Sequence, residues 1–464
     1  MSRDARFLTG PTMGHVARMT LTGAMGITFV FLVDAANLFW ISQLGDERLM
    51  AAIGFAFAIQ FFSVSSGVGL MIAATALVSR RIGQGDRAGA RHLATAAMVM
   101  TCGIQSLVAL LIILFRWQLL DMVGAEGETR TLAARYLVMT VPSLALMAIG
   151  LIGSAALRAE GDGKRAMFVT LTSGSVSMVV DPILILWLGM GLDGAATALV
   201  ISRLVLTVMA LRFATGTNDL LAWPSLWAVR EHARAFLGLA APAILTQLSA
   251  PFGNYLLTGV MAQFGDGAVA AWAVVNRLYV MAFGGIFSLS GAIGGIFGQN
   301  YGARLYDRLH STYRDALIFC ILYSLVAWGA LMLVTPLVVR GFGLDAAGEE
   351  VLRAFTFTTG AAQMVMGMVY VSNAAFNALG RPMRSTLVNW LRDGVLLLPV
   401  AWWTAGIWAA PGVIYGQAMV GVLVGILAAL WAWRFVHRFR ADAGSALDLT
   451  ARRGYRDVNR YRRR

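Results

Sequence analysis

The sequence predicts an all-α integral membrane protein with 12 transmembrane helices in two pseudo-symmetric six-helix lobes, on three observations. Apolar residues make up 58% of the 464 and charged residues 13%, with a mean hydropathy of +0.70, whereas a soluble chain of this length carries about twice that charge. Twelve apolar runs are long enough to cross a bilayer, which takes about 20 residues each. The chain also repeats itself at an offset near 219 residues. Gln43-Leu-Gly-Asp46 returns as Gln263-Phe-Gly-Asp266, and Ala159-Glu-Gly161 as Ala378-Leu-Gly380. Gly23 and Pro242 hold matching places, and Pro182 roughly matches Pro399. Two similar bundles around a central cleft are an arrangement typical of transporters.

The predicted spans of the first half are 16–41, 49–79, 93–115, 133–156, 166–189 and 194–212. Those of the second half are 235–263, 268–297, 316–338, 354–379, 386–408 and 412–436. Unbroken runs of this length exclude the alternating strands of a membrane barrel, and the 50 glycines suit closely packed membrane helices. The expected organisation is a cytoplasmic N-terminus over 1–15, a first lobe over 16–215, a cytoplasmic linker over 216–234, a second lobe over 235–436 and a basic tail over 437–464. Residues 1–15 are polar and the run that follows is too long for a signal-peptide core, so it reads as an uncleaved first span.

Charge sets the expected orientation. With both termini inside, 28 of the 37 basic residues fall on the cytoplasmic side, six face out, and Arg203, Arg277 and Arg392 lie within helices. That bias is the positive-inside pattern, so the formal charge of +13 is mostly a topology signal. The tail cluster from Arg452 to Arg464 reads either as an anchor or as a contact with anionic headgroups; without a folded platform of stacking aromatics, nucleic acid is not an expected partner. Cys102 and Cys320 sit in apolar runs and the five histidines show no ligand-like spacing, so neither a metal nor a cofactor is expected.

Chemistry in such a chain concentrates on polar residues within spans, because a carboxylate at mid-helix costs roughly 2.5–3.5 kcal/mol to insert. Three acids qualify: Asp34, Asp181 and Asp393. Asp34, with Asn37 a turn later, stands deep in the first span and is the leading candidate to carry a coupling proton. Asp181 precedes Pro182, which removes an amide donor and frees a carbonyl. That place suits a small cation, and it equally suits a polar kink. Asp393 follows Arg392 near a helix end and reads as local charge balance. Where the second half matches Asp34 it has Gly253, and its span polar groups are mainly amides and an arginine: Gln247, Asn254, Asn276, Arg277 and Asn373. With Tyr136 these are candidates for the substrate path. Arg277 reads either as a partner for an anionic group or as a snorkelling side chain. The expected asymmetry has the first lobe handling the coupling ion and the second shaping the path.

Several weak motifs in order carry a family resemblance. Val33-Asp34, Gln43-Leu-Gly45, Leu157 to Lys164, Asp181-Pro-Ile-Leu184, Gly194-Ala-Ala196, Ile201-Ser202, Gly298 to Ala303 and Ala378 to Pro382 are similar to the multidrug and toxic compound extrusion (MATE) family. The resemblance covers about 15–436. It implies two six-helix lobes in a V and efflux of organic cations against inward H+ or Na+. The chain looks closer to the DinF-like branch, whose first-lobe acids map onto Asp34 and Asp181. The second-lobe carboxylates of the NorM-like branch find no match, Met368 standing where one is expected. Ser177 replaces a usual asparagine and Leu199 a usual threonine, with Thr197 and Ser202 nearby, and these fewer oxygens favour protons over Na+. Gly23 stands where a kinking proline is usual.

The expected function is therefore efflux of cationic amphiphiles by proton-coupled antiport through alternating access, with Na+ coupling as a variant. A flippase for a lipid-linked substrate is the alternative. No metalloprotease, hydrolase or paired-acid motif points to an enzyme. A monomer in the bacterial inner membrane with lipid around it is the expected setting.

Overall fold

In the computed structural model the described residues are 5–342 and 346–441, so the tail cluster beyond 441 lies outside them. Among these residues the chain is helical and contains no strand. The spanning helices are α1 (Thr12–Ser42), α2 (Arg48–Gly83), α3 (Arg87–Leu114), α4 (Gly127–Glu160), α5 (Gly163–Trp187) and α6 (Gly191–Thr217). The second lobe holds α7 (Leu226–Phe264), α8 (Gly267–Gly302), α9 (Tyr306–Arg340) and α10 (Gly348–Ala378), then a helical run over Pro382–Phe439. That run has 58 residues, about 87 Å at 1.5 Å per residue and twice a bilayer crossing. It breaks at Trp408 (φ −121°, ψ 16°) and Ala409 (φ 53°, ψ −140°), giving α11 (382–407) and α12 (410–439) and restoring twelve crossings.

Local sequence explains the joints. Three loops of the first lobe carry a Gly-Asp pair: Gly45-Asp46, Gly85-Asp86 and Gly161-Asp162. Each glycine takes a positive φ of 69°, 75° or 91°, which closes one helix without a Cβ penalty. Each aspartate then caps the next, accepting from the amide of Arg48, Gly89 or Arg165. The helices also break where the chain needs to bend. Pro142 sits in a 3-10 turn, Val141–Ser143, inside α4; a π turn, Ile183–Trp187, follows Pro182 in α5; and others interrupt α10 at Phe355–Thr359 and α11 at Leu391–Leu396. At Pro142 and Pro182 a residue without an amide cannot continue the ladder, so the ladder reforms at a different pitch.

Asp162 does more than cap α5. It pairs with Arg165 at 2.6 Å and with Arg6 at 3.6 Å. Burial pushes its carboxyl up, but the Arg165 amide and the Arg165 and Arg6 guanidiniums outweigh that and hold it below its ordinary value. A lowered folded value means stability present above the unfolded value and lost as pH falls through the folded one. Asp162→Asn is expected to lower stability by about 1 kcal/mol at pH 7. The gap from wild type should close on acidification below about pH 4, as melting in detergent across a pH series would reveal.

The lobes meet along a seam of α1 and α2 against α7 and α8, and small residues set its spacing. A Cβ on Gly23 would lie 3.0 Å from that of Ser288, and one on Gly83 would lie 2.0 Å from the Gln299 carbonyl oxygen. Gly23 thus serves close approach of α1 to α8, in a helix that runs unbroken. The hydrogen bonds across the seam gather at the arginine-rich end. Arg80 Nε donates to the Ala378 carbonyl at 2.7 Å, Gln299 Nε2 to Ala159 at 2.6 Å, and Ser288 Oγ to Thr20 at 3.1 Å.

Two expected boundaries change. Within the polar N-terminus, Phe7 is buried and its amide donates to Gln299 Oε1 at 3.0 Å, while Arg308 from α9 donates to its carbonyl. The segment is a strap across both lobes, because one apolar ring among polar residues finds a glycine-lined slot at Gly161 and Gly295. The second half of the linker 216–234 is already helix, since α7 begins at Leu226.

Candidate functional site

Spacing places the first-lobe site. Asp34 and Asn37 lie three residues apart, and Ser177 and Asp181 four apart, so each pair shares one helix face. The face of α1 meets that of α5. Asp181 is fully buried, receives the Ser177 hydroxyl at 3.3 and 3.4 Å, and is reached by the Asn37 side chain. Asp34 stays exposed and accepts no hydrogen bond among the described residues, yet its charge faces those of Asp181 and Arg203. One carboxylate is open and the other sealed behind it.

Arg203 is the residue that sequence reasoning left without a role. It is 8% exposed on α6 and has no carboxylate within ion-pair distance among the described residues. Its guanidinium donates to Thr140 O at 3.0 Å, Ser143 Oγ at 2.8 Å and Gln60 Oε1 at 3.2 Å. Gln60 Nε2 in turn donates to Thr140 Oγ1 at 2.9 Å. The 3-10 break in α4 makes this possible, for Pro142 interrupts the ladder where Arg203 collects its acceptors. Buried Tyr136, one turn before Thr140, feels Arg203, Asp181 and Asp34 together. This residue, expected on the substrate path, thus lies near the two acids. A lone arginine inside an apolar run was the signal that could have marked this hub.

Two expected supporters stand apart from the acids. Thr197 donates to the Asp193 carbonyl of its own helix at 2.7 Å, and Ser202 ties α6 to α5 through Ser173 at 2.9 Å. Chemically the cluster can hold two carboxylates, one open, beside one permanent cation.

The comparisons with known proteins bear on this arrangement. A family model, MatE, matches the chain twice, over residues 24–183 and 242–403. The chain belongs to the MATE family. The two matches start 218 residues apart (24 and 242), so the internal repeat is the family's own unit occurring twice. A FAD transporter of Shewanella oneidensis is 25% identical over 458 residues, covering 96% of this chain and all of that protein. The multidrug export protein MepA of Staphylococcus aureus is 21% identical over 450 residues, covering 95% and 98%. A solved outward-facing multidrug resistance MATE transporter superposes with a TM-score of 0.89 at 22% identity, over 95% of this chain and 99% of that one. MATE proteins are multi-pass membrane transporters and not enzymes.

In the second lobe of this MATE chain the acid lies on α11. Arg392 grips Asp393 through Nε and Nη2 at 2.7 and 2.9 Å, Ser249 of α7 donates to Asp393 at 3.0 Å, and Tyr370 of α10 lies against Arg392. The expected charge balance is present, but it is a buried tie among three helices inside the lobe. Gly253, which matches Asp34, packs against this acid: a Cβ there would meet that of Asp393 at 3.0 Å.

The remaining candidates scatter. Asn373 is buried and bonds Asn389 of α11 at 3.0 Å, a packing role. Asn276 donates to Trp272 of its own helix at 3.1 Å. Gln247 is half-buried, while Asn254 and Arg277 are exposed. Arg277 has no ion pair among the described residues.

Proposed function

We propose that this MATE protein exports a cationic amphiphile in exchange for H+, with Asp34 and Asp181 as the coupling site, by alternating access of the two lobes. The observation that carries the reading is the pairing of an exposed acid on α1 with a sealed acid on α5 beside the fixed charge of Arg203. With the cleft open outward, Asp34 attracts the cation. A proton taken up by the pair removes that attraction, releases the substrate and favours closure; on the inner side the proton leaves. Coupling requires that substrate and proton compete, because a ligand indifferent to the two states shifts nothing. The DinF-like branch, a monomeric unit and an inner-membrane setting with both termini cytoplasmic belong to the same reading.

A second reading has one specific support. The FAD transporter of Shewanella oneidensis suggests an anionic aromatic substrate, for which the unpaired Arg277 on α8 would be a partner. Inverted proteoliposomes with an imposed pH gradient, with and without Na+, separate the readings. Uptake of a fluorescent organic cation that follows the pH gradient and ignores Na+ is the expected result. Uptake of a flavin dinucleotide with none of the cation would overturn the first reading in favour of the second. Transport requiring Na+ would overturn proton coupling.

A further inference from the structure

We propose that the pocket between α8, α11 and α12 at the arginine-rich end binds the phosphate headgroup of an anionic lipid from the adjacent leaflet. The cavity holds about 280 Å³ and is lined by Arg381, Arg384 and Arg438, with Tyr301, Phe435 and Phe439 among its walls. No acid lines it. Among the described residues none of the three arginines has a carboxylate within ion-pair distance, whereas twelve ion pairs form elsewhere. Arg381 and Arg438 are the charges that act on Arg384, both repulsively. Three like charges around one small cavity call for an anion to fill it.

The site is built and not merely basic. Arg384 is half-buried and lies over the rings of Phe435 at 4.3 Å and Trp431 at 5.2 Å. The rings hold the guanidinium in place, and among the described residues its N–H groups donate to no acceptor, which leaves them for bidentate recognition of phosphate. Beyond the pocket the same two helices expose Leu387 and Leu430, 58% and 52% accessible. These apolar surfaces suit acyl chains and would give a soluble phosphate nothing. Basic pockets between helices at this level are places where anionic headgroups bind.

The pocket also adjoins the seam. Arg80 of the first lobe sits over Tyr301 at 5.3 Å while its Nε holds the Ala378 carbonyl. A headgroup against Tyr301 would thus favour the closed arginine-rich end.

The test uses the full chain in detergent, with native mass spectrometry and melting as readouts and dioleoyl phosphatidylglycerol, dioleoyl phosphatidylcholine and glycerol 3-phosphate as probes. Wild type should retain one phosphatidylglycerol in preference to phosphatidylcholine. Arg381→Gln with Arg438→Gln should weaken retention about fivefold per arginine, since neither stacks on an aromatic ring and the fold is spared. Arg384→Lys keeps the charge but loses the fork, and should weaken it less. Arg462→Gln with Arg463→Gln and Arg464→Gln, in the tail, should change nothing. Equal retention by the double variant, equal retention of phosphatidylcholine, or a loss seen only in the tail variant would each overturn the site. Stabilisation by glycerol 3-phosphate as strong as by the lipid would overturn the lipid as its source.

Discussion

Asp34→Asn is expected to reduce pH-driven uptake more than tenfold while leaving the protein folded. The two roles separate because Asp34 is exposed and accepts no hydrogen bond among the described residues, so an amide of equal size breaks no contact. What it removes is the ability to exchange a proton, without which the proposed cycle has no coupling step. Asp181→Asn should differ in kind. Its carboxylate receives Ser177 and is reached by Asn37 in a fully buried place, and an amide nitrogen there would face other donors. A mispaired buried group costs about 1–3 kcal/mol, so this variant should lose both transport and melting temperature. Substrate efflux rates with melting curves on both variants make the check. Wild-type proton-driven uptake by Asp34→Asn would end the assignment of that residue.

Gly83→Ala is expected to prevent closure of the arginine-rich end. The added methyl would sit 2.0 Å from the Gln299 carbonyl oxygen and 2.7 Å from that residue's Cα, and backbone on both sides cannot yield. Overpacking of this kind costs about 1–3 kcal/mol, and every 1.4 kcal/mol moves a two-state ratio tenfold. The cost falls only on the state in which α2 and α8 touch, so the seam should open and transport should fall at least severalfold. A flexible bismaleimide cross-link between cysteines placed at the exposed Gln84 and Leu305, at the meeting ends of α2 and α8, reports on the closed end. It should form readily in the parent background and far less in Gly83→Ala; equal formation would mean that the seam tolerates the methyl.

Much of this protein was legible before folding. The apolar runs gave the crossings, because a bilayer demands about 20 apolar residues whatever their neighbours. The α11–α12 turn fell within a residue or two of its expected place, and the three Gly-Asp joints use chemistry that is local to the chain. Asp34 and Asp181 stood out because an acid is costly in an apolar run. Phe7 was illegible for the opposite reason: among polar residues a single ring carries no periodic signal, and its slot is made by two helices far away in sequence. Thr197 and Ser202 were expected beside the acids because they stand near Leu199, where the family resemblance implies a threonine, but their hydroxyls are satisfied by backbone and by Ser173.

The sequence by itself determined that this is a duplicated bundle of membrane helices with its span acids unequally divided between halves. Those properties depend on residue type and spacing, which the bilayer and helix pitch read directly. Only the tertiary structure decided which polar groups meet. It joined Arg203 to Gln60, Thr140 and Ser143 behind the two acids, set Gly253 against Asp393, and turned Arg381, Arg384 and Arg438 toward one cavity. Each of these pairings depends on how helices distant in sequence rotate and approach, and that is fixed by packing across the bundle.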